Sequence, residues 1–147
     1  MVGINNTTRS KINTKRIEKI VSLFLKKFKK EDFAVSVAII SDKKMKRLNF
    51  EYRGIDKTTD VLSFRGGEYM TKYLGEIVIN INEVGRLKKY QAMIDELDLF
   101  KGVGKSAQAA YLFDFILVHG LLHLIGYNDE TEKSRQEMMK IGQKFLD

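Results

Sequence analysis

The stretch that decides how this chain is interpreted is HGLLHLIGYND, which runs from His119 to Asp129. It contains both histidines of the protein, and their spacing places His119 and His123 one turn apart on the same face of an α-helix. Two imidazoles so placed can bind one divalent metal ion. Gly126 can end the helix in a left-handed turn, after which the chain returns Asp129 as a third ligand. This spacing predicts a zincin-like site layout with a carboxylate in the third position.

Two other oxygen donors, Asn128 and Glu130, lie beside Asp129 and are alternative third ligands. Asp129 is favoured because its offset from Gly126 repeats that of the zincin turn. Zincin peptidases carry a glutamate, their general base, directly after the first histidine, and this chain has Gly120 there. The pattern therefore predicts a metal site and argues against a peptidase, although a zinc-dependent peptidase-like hydrolase stays open as an alternative function.

The helix that carries the histidines is predicted over residues 106–125 and is apolar on nearly all sides, which is typical of a buried central helix. Apolar periodicity predicts further helices and strands on both sides of it. The other helices are expected at 14–30, 43–52, 83–97 and 131–145, and the strands at 2–5, 33–40, 60–64 and 73–81. We therefore expect an α+β fold, a small mixed β-sheet covered by helices, formed by a single domain over residues 1–147.

The composition is strongly basic, with 26 Lys and Arg against 19 Asp and Glu and a net charge of +7. This charge is typical either of a domain that binds a polyanion or of a solvated lysine-rich surface, and composition favours neither. The absence of cysteine excludes disulfides and thiolate ligands, which fits a reducing compartment. The N-terminus does not resemble a signal peptide and no apolar run reaches the roughly 18 residues of a membrane span, so we expect no membrane contact.

Arg53 differs from the clustered lysines because it stands at the predicted end of a helix, beside Gly54 and before a polar loop. An arginine in such a place can bind a phosphate group through two parallel hydrogen bonds. The alternative is a structural ion pair with Glu51, Asp56 or Asp60.

Three blocks of the sequence, in order, resemble the YbeY family of bacterial rRNA maturation endoribonucleases. HGLLHLIGYND is similar to the family's H-G-x-L-H-L-x-G-Y-D-H, while LNFEYRGIDKTTDVLSF (Leu48 to Phe64) and LGEIVIN (Leu74 to Asn80) resemble its second and third blocks. The resemblance implies an α+β fold, a metal held near a cleft and metal-dependent cleavage of single-stranded RNA. It also implies a role in 16S rRNA 3′-end maturation and ribosome quality control in the cytoplasm, with rRNA and the small ribosomal subunit as partners and no DNA substrate.

Position by position, His119 and His123 match the family's first two metal ligands and Arg53 matches its cleft arginine. Asn128 stands where the family has aspartate, and Asp129 where it has a third histidine. We therefore expect His119, His123 and Asp129 to hold one divalent ion, Zn²⁺ by preference, although a carboxylate ligand weakens the Lewis acid and can shift the preference away from zinc. Arg53 and His119 are the expected catalytic residues, and Arg53 is also the expected substrate-binding residue. A non-catalytic ribosome-assembly factor with a structural metal is the remaining alternative.

Overall fold

The structure, a computed structural model, describes residues 1–67 and 71–147. Within these ranges the strands form a mixed sheet of order β1-β2-β4-β3, in which β1, β2 and β4 are parallel and β3 is an antiparallel edge strand. The strands are β1 (Val2–Asn6), β2 (Ala34–Ile40), β3 (Val61–Arg65) and β4 (Tyr73–Asn80).

The helices of the described ranges cover both faces of the sheet, which confirms the predicted α+β fold class. They are α1 (Thr14–Lys27), α2 (Asp42–Arg53), α3 (Ile81–Val84), α4 (Gln91–Leu97), α5 (Gln108–Leu124) and α6 (Glu132–Leu146). Two 3₁₀ turns, Leu87–Tyr90 and Lys105–Ala107, precede α4 and α5.

Helix α5 is the buried central helix that the sequence predicts. It packs on β3 and β4 and is flanked by α1 and α6, with side chains such as Leu112, Leu117 and Leu121 fully buried. Alternate residues of β4 face opposite sides of the sheet, so Ile77 lies in the α5 core while Val78 packs against α2. The stretch Lys105–Leu124 is long and apolar enough to cross a membrane, but here its apolar side chains build the protein core.

The helix predicted over 83–97 is wrong, because the chain there forms α3, a 3₁₀ turn and α4. Gly85, a poor helix former, ends α3 after a single turn. The carboxylate of Glu83 is largely buried and accepts hydrogen bonds from Arg86 at 2.6 Å and from Lys89 at 2.9 Å. These two bonds tie both cations to the buried carboxylate, and the chain continues as the tighter 3₁₀ turn.

Candidate metal centre and cleft

Two histidines on the last turns of α5 and one aspartate from the following loop form a compact group. His119 and His123 stack one turn apart, with ring centroids separated by 4.8 Å. Asp129 Oδ2 lies 3.4 Å from His119 Nε2 and 3.5 Å from His123 Nε2. Ligand atoms about 2.0–2.2 Å from a tetrahedral zinc ion are roughly 3.3–3.5 Å apart. The Asp129 oxygen therefore lies at ligand spacing from each histidine, and the ligand atoms of all three side chains fall within 4.8 Å of one another, close enough to hold one divalent ion.

The turn after α5 sets this geometry. The backbone N–H of Tyr127 bonds to the carbonyl of Leu122 at 3.1 Å, and Gly126 between them has a φ of +109° that favours glycine. A Cβ at Gly126 would lie only 3.0 Å from Nη2 of Arg65. The Tyr127 carbonyl is 3.1 Å from His123 Nδ1, and a hydrogen bond from this nitrogen orients the ring so that Nε2 faces Asp129.

His119 is the most enclosed of the three candidate ligands, with a side chain 16% exposed. Burial lowers the pKa of His119, and the neighbouring His123 lowers it further, against the opposing attraction of Asp129 and Asp60. Metal ions bind the neutral imidazole. The enclosure of His119 thus keeps its ring in the metal-binding form to a lower pH than an exposed histidine would allow.

Of the two alternative oxygen donors beside Asp129, Asn128 is turned to another contact. Asn128 Oδ1 accepts a hydrogen bond from the backbone N–H of Glu130 at 3.3 Å, which closes a local turn. In the described part of the chain, Asp129 is the acidic residue grouped with the two histidines at ligand spacing.

The group lies in a cleft of about 650 Å³ that also contains Arg53. Arg53 makes no ion pair with Glu51, Asp56 or Asp60 in the described residues; its side-chain contact is a long one, 3.5 Å, to Asn49 Oδ1. The structure therefore brings together the arginine and the histidines that lie far apart in the sequence. The cleft is lined by Arg53, Thr59, Asp60, Val61, Leu62, Ser63, Arg65, Tyr90, Met93, Phe115, Ile116, His119, His123, Gly126, Tyr127, Asn128, Asp129, Arg135 and Met139.

The cleft wall that carries Arg53 is held by two buried asparagines. Gly54, at a φ of +71°, ends α2 directly after Arg53. Asn49 Nδ2 then donates to the Lys57 carbonyl at 2.7 Å, and Asn80 Nδ2 donates to Thr58 Oγ1 at 2.8 Å. Because both asparagines are buried, these bonds are sheltered from water and fix the loop between α2 and β3.

Two cleft residues at the ends of β3 were missed by reasoning from sequence. Asp60 precedes the strand, and its Oδ2 accepts a hydrogen bond from the Tyr90 hydroxyl at 3.0 Å. Arg65 ends the strand, lines the cleft and makes no ion pair within residues 1–67 and 71–147. The sequence feature that could have identified them is their position, since polar residues at the two ends of an edge strand lie at the rim of a cleft that the strand borders.

Arg135 of α6 is a third guanidinium of the cleft that the sequence did not indicate, but it is already paired with carboxylates. It binds Glu132 at 2.8 Å and reaches Glu96 at 3.5 Å. Arg53 and Arg65, without a carboxylate partner in the described ranges, are the arginines of the cleft that can meet an anion.

Gly120 explains why the peptidase base is absent. A Cβ at this position would lie 3.0 Å from Ile77 Cγ2 and 3.2 Å from Val61 Cγ2, both tighter than ordinary packing. The Ser63 hydroxyl donates to the Gly120 carbonyl at 3.0 Å and holds the helix against β3. This close approach of α5 to the sheet favours glycine, because a larger side chain would force Ile77 and Val61 to shift.

Fold and site together define a small α+β protein with a histidine–aspartate group, able to bind a metal, in an arginine-bearing cleft. Comparison with known proteins is consistent with this class. The sequence model of the family described as endoribonuclease YbeY matches residues 3–147, and the chain therefore belongs to the YbeY family.

Individual relatives extend this result. The chain is 39% identical to endoribonuclease YbeY of Nitratiruptor over 109 residues, a match that covers 74% of this chain and 66% of that protein. It is 37% identical to endoribonuclease YbeY of Thermodesulfovibrio yellowstonii over 147 residues, covering 89% and 82% of the two chains. Its fold is similar to the solution structure of TM1509 from Thermotoga maritima, with a TM-score of 0.54 and 26% identity, over 99% of this chain and 89% of that one.

Proposed function

We propose that this chain is a metal-dependent endoribonuclease that cleaves single-stranded RNA. The observation that carries the proposal is the meeting, in one cleft, of the metal-binding group and two guanidinium groups without carboxylate partners among the described residues. A metal site alone serves many reactions, and free arginines alone serve anion binding. Their combination fits a substrate with a phosphodiester at its reacting centre.

In this proposal His119, His123 and Asp129 hold one Zn²⁺ ion, and His119 and Arg53 belong to the catalytic centre. Such an ion would supply Lewis-acid chemistry at the scissile phosphate and would make water a stronger nucleophile near neutral pH. Arg53 binds the scissile phosphate and neutralises the charge that grows in the transition state. Arg65, packed over Gly126, is placed to bind the same or the adjacent phosphate. His123 is kept in one orientation by the Tyr127 carbonyl.

Two other functions fit less well. A peptidase needs a general base after His119, and Gly120 lies too close to Ile77 and Val61 for one. A structural metal is normally enclosed by four protein ligands. Within the described ranges three ligands converge, and the Asp129 side chain is 44% exposed, which favours an open coordination position.

The cellular role we propose is 16S rRNA 3′-end maturation and ribosome quality control in the cytoplasm. Residues 1–147 would act as one domain, with single-stranded rRNA in the small ribosomal subunit as the partner. The net charge of +7 supports a polyanionic substrate, since Lys and Arg release counterions from the nucleic-acid backbone on binding.

The test is a cleavage assay on purified protein whose metal content has been measured. Single-stranded RNA, the matching duplex, single-stranded DNA of the same sequence and a denatured protein are offered with and without chelator. We expect cleavage of the single-stranded RNA alone, lost with chelator and restored by Zn²⁺. Hydrolysis of the protein substrate would favour the peptidase, and metal-loaded protein that cleaves nothing would favour the assembly factor.

A further inference from the structure

Exposed apolar side chains are concentrated beside the cleft. Among the described residues, the large apolar side chains that are more than a third exposed include three close to Arg53 in sequence: Phe50, Tyr52 and Ile55. Tyr127, which is also exposed, lines the cleft on the metal side. Exposed apolar side chains this close in sequence to a cleft arginine favour a binding surface near it.

Tyr52 is the most exposed of these side chains, at 64%, and it is also braced. Its ring packs on that of Phe64 with the centroids 4.9 Å apart and the planes at 64°. Phe64 stands in β3 between Ser63 and Arg65, both of which line the cleft. Because neighbouring side chains of a strand point to opposite faces, Phe64 and Tyr52 lie on the α2 side of edge strand β3, across the strand from the side chains of Ser63 and Arg65. Tyr52 is next in sequence to Arg53, and much of its ring is open to solvent.

Helix α2, which carries Tyr52, is predominantly basic, and one of its lysines, Lys46, pairs with Asp56 at 3.8 Å. The solvent face of α2 carries exposed Lys43, Lys44, Lys46 and Arg47. The acidic residue at the start of the helix, Asp42, is bound by Arg86. An exposed aromatic ring within a basic surface is the combination with which proteins bind single-stranded nucleic acid, because the ring stacks on a base while the cations follow the phosphates.

Resting on the proposed function, we propose that Tyr52 is a stacking site for an unpaired RNA base beside the phosphate held in the cleft. The base would lie on the open face of the Tyr52 ring, which Phe64 keeps in place at little further cost in conformational freedom. In a duplex the faces of the bases are already stacked and are not available to the ring. Tyr52 would therefore contribute to a preference for single strands.

The test measures binding of Tyr52 variants to a fluorescent, uncleaved 2′-O-methyl oligoribonucleotide. Tyr52→Ala should weaken binding of the single strand by roughly 5- to 150-fold, the range for one lost base stack. Tyr52→Phe keeps the ring and should bind within about twofold of the parent, whereas Tyr52→Leu, apolar without a π face, should fall near the alanine variant. Leu23→Ala, an exposed apolar residue of α1, is the matched control and should bind as the parent does.

Two further ligands separate stacking from other causes. An abasic strand of equal length and the matching duplex should bind the Tyr52→Ala variant as well as they bind the parent. Unchanged single-strand affinity in Tyr52→Ala would overturn the proposal and leave the ring as a contact for a protein partner. Equal losses on the abasic strand would also overturn it. If the parent protein itself bound no single-stranded RNA, the proposed function would fail as well. That outcome is distinguishable from a failure of the Tyr52 site alone, in which the parent binds and Tyr52→Ala binds equally well. Metal content and melting temperature confirm that each variant is folded.

Discussion

Each half of α5 carries ionisable side chains into the protein interior, but the side chains of the two halves have different partners. Asp114, in the first half, is 1% exposed, and its Oδ2 accepts a hydrogen bond from Arg16 Nε at 2.7 Å. His119 and His123, in the second half, face a cleft in which Asp129 is the carboxylate within 3.5 Å. Asp114 is paired with a side chain of the same chain, Arg16, whereas the histidines and Asp129 face a cleft that is open to a ligand.

The difference shows how to tell a structural polar residue from a functional one on a buried helix. A buried carboxylate must be paired or it destabilises the fold, and α1 supplies the pair. The two histidines and Asp129 are grouped in a geometry that could hold a metal ion. A buried polar group that bonds to a partner within the protein indicates a structural role, and side chains whose ligand atoms converge on one point indicate a ligand site.

The largest expected effect comes from metal removal, which acts on the open end of α5. Chelation should abolish RNA cleavage and lower the free energy of unfolding by about 4 kcal/mol if the metal had been present at 1,000 times its Kd. Both effects should be reversed by Zn²⁺. Cleavage that persists in protein with no detectable metal would show that the histidine end of α5 does not hold a metal needed for the reaction.

Next in size is Arg53→Lys, which should lower kcat by about 10²–10³, as loss of a preorganised donor to the transition state does. Lysine keeps the charge but cannot form two parallel hydrogen bonds, so RNA binding should fall less than kcat. Metal content should stay the same, because guanidinium is not a ligand. The matched control is Arg9→Lys, at an exposed arginine outside the cleft. Normal cleavage by Arg53→Lys would reduce Arg53 to a surface residue.

The closed end of α5 is tested by Arg16→Ala. This variant leaves the Asp114 carboxylate buried without its partner and should destabilise the fold by about 1–3 kcal/mol at neutral pH. Metal content should not change, because Arg16 lies outside the metal cleft. Chemical denaturation with metal analysis checks both results. A loss of metal in this variant would show that the two ends are coupled.

The pH dependence of that loss has a definite sign. Burial raises the pKa of Asp114 above its usual carboxyl value, and Arg16 opposes the rise. Without Arg16 the folded chain holds the Asp114 proton to a higher pH than the unfolded chain does. The destabilisation should therefore be absent below the unfolded carboxyl pKa and grow as pH rises through the raised folded pKa. A loss of stability that is independent of pH would contradict this origin.

The smallest expected effect is on the salt dependence of RNA binding. Each phosphate contact contributes about −0.7 to the slope of log affinity against log salt for a single strand. Arg65→Gln should reduce the magnitude of the slope by about 0.7, which is roughly a 2.6-fold difference over a fourfold salt range. A titration with the uncleaved oligoribonucleotide measures it. An unchanged slope would remove Arg65 from the phosphate-binding surface, and a flat slope in the parent would show that the basic charge does not serve RNA.

Much of the fold follows from local patterns, because strong periodicity is a local property. The unbroken apolar character of 106–125 predicted a buried helix, and α5 occupies 108–124 with a 3₁₀ turn before it. The failure at 83–97 is also physical, since the burial of Glu83 with its two cations depends on the tertiary fold. The spacing of apolar residues along the sequence carries no information about that contact.

The site was predictable only where its residues are neighbours in sequence. The histidines and Asp129 lie on one helix and the following loop, so spacing was enough to group them. Arg53 reached the same group only through the family resemblance. Asp60, named from the sequence only as a possible partner of Arg53, and Arg65 were not recognised as cleft residues, because they become so only when β3 takes the edge position against α5.

The most direct test of the account is the metal content of Asp129→Ala beside two matched controls, Asn128→Ala and Glu130→Ala. All three remove a neighbouring oxygen donor, but Asp129 is the one within 3.5 Å of both histidines. We predict one equivalent of divalent metal in the parent and in both controls, a sharp loss in Asp129→Ala, and RNA cleavage in proportion to metal. One full equivalent in Asp129→Ala, or loss of metal in either control instead, would contradict the His119–His123–Asp129 centre.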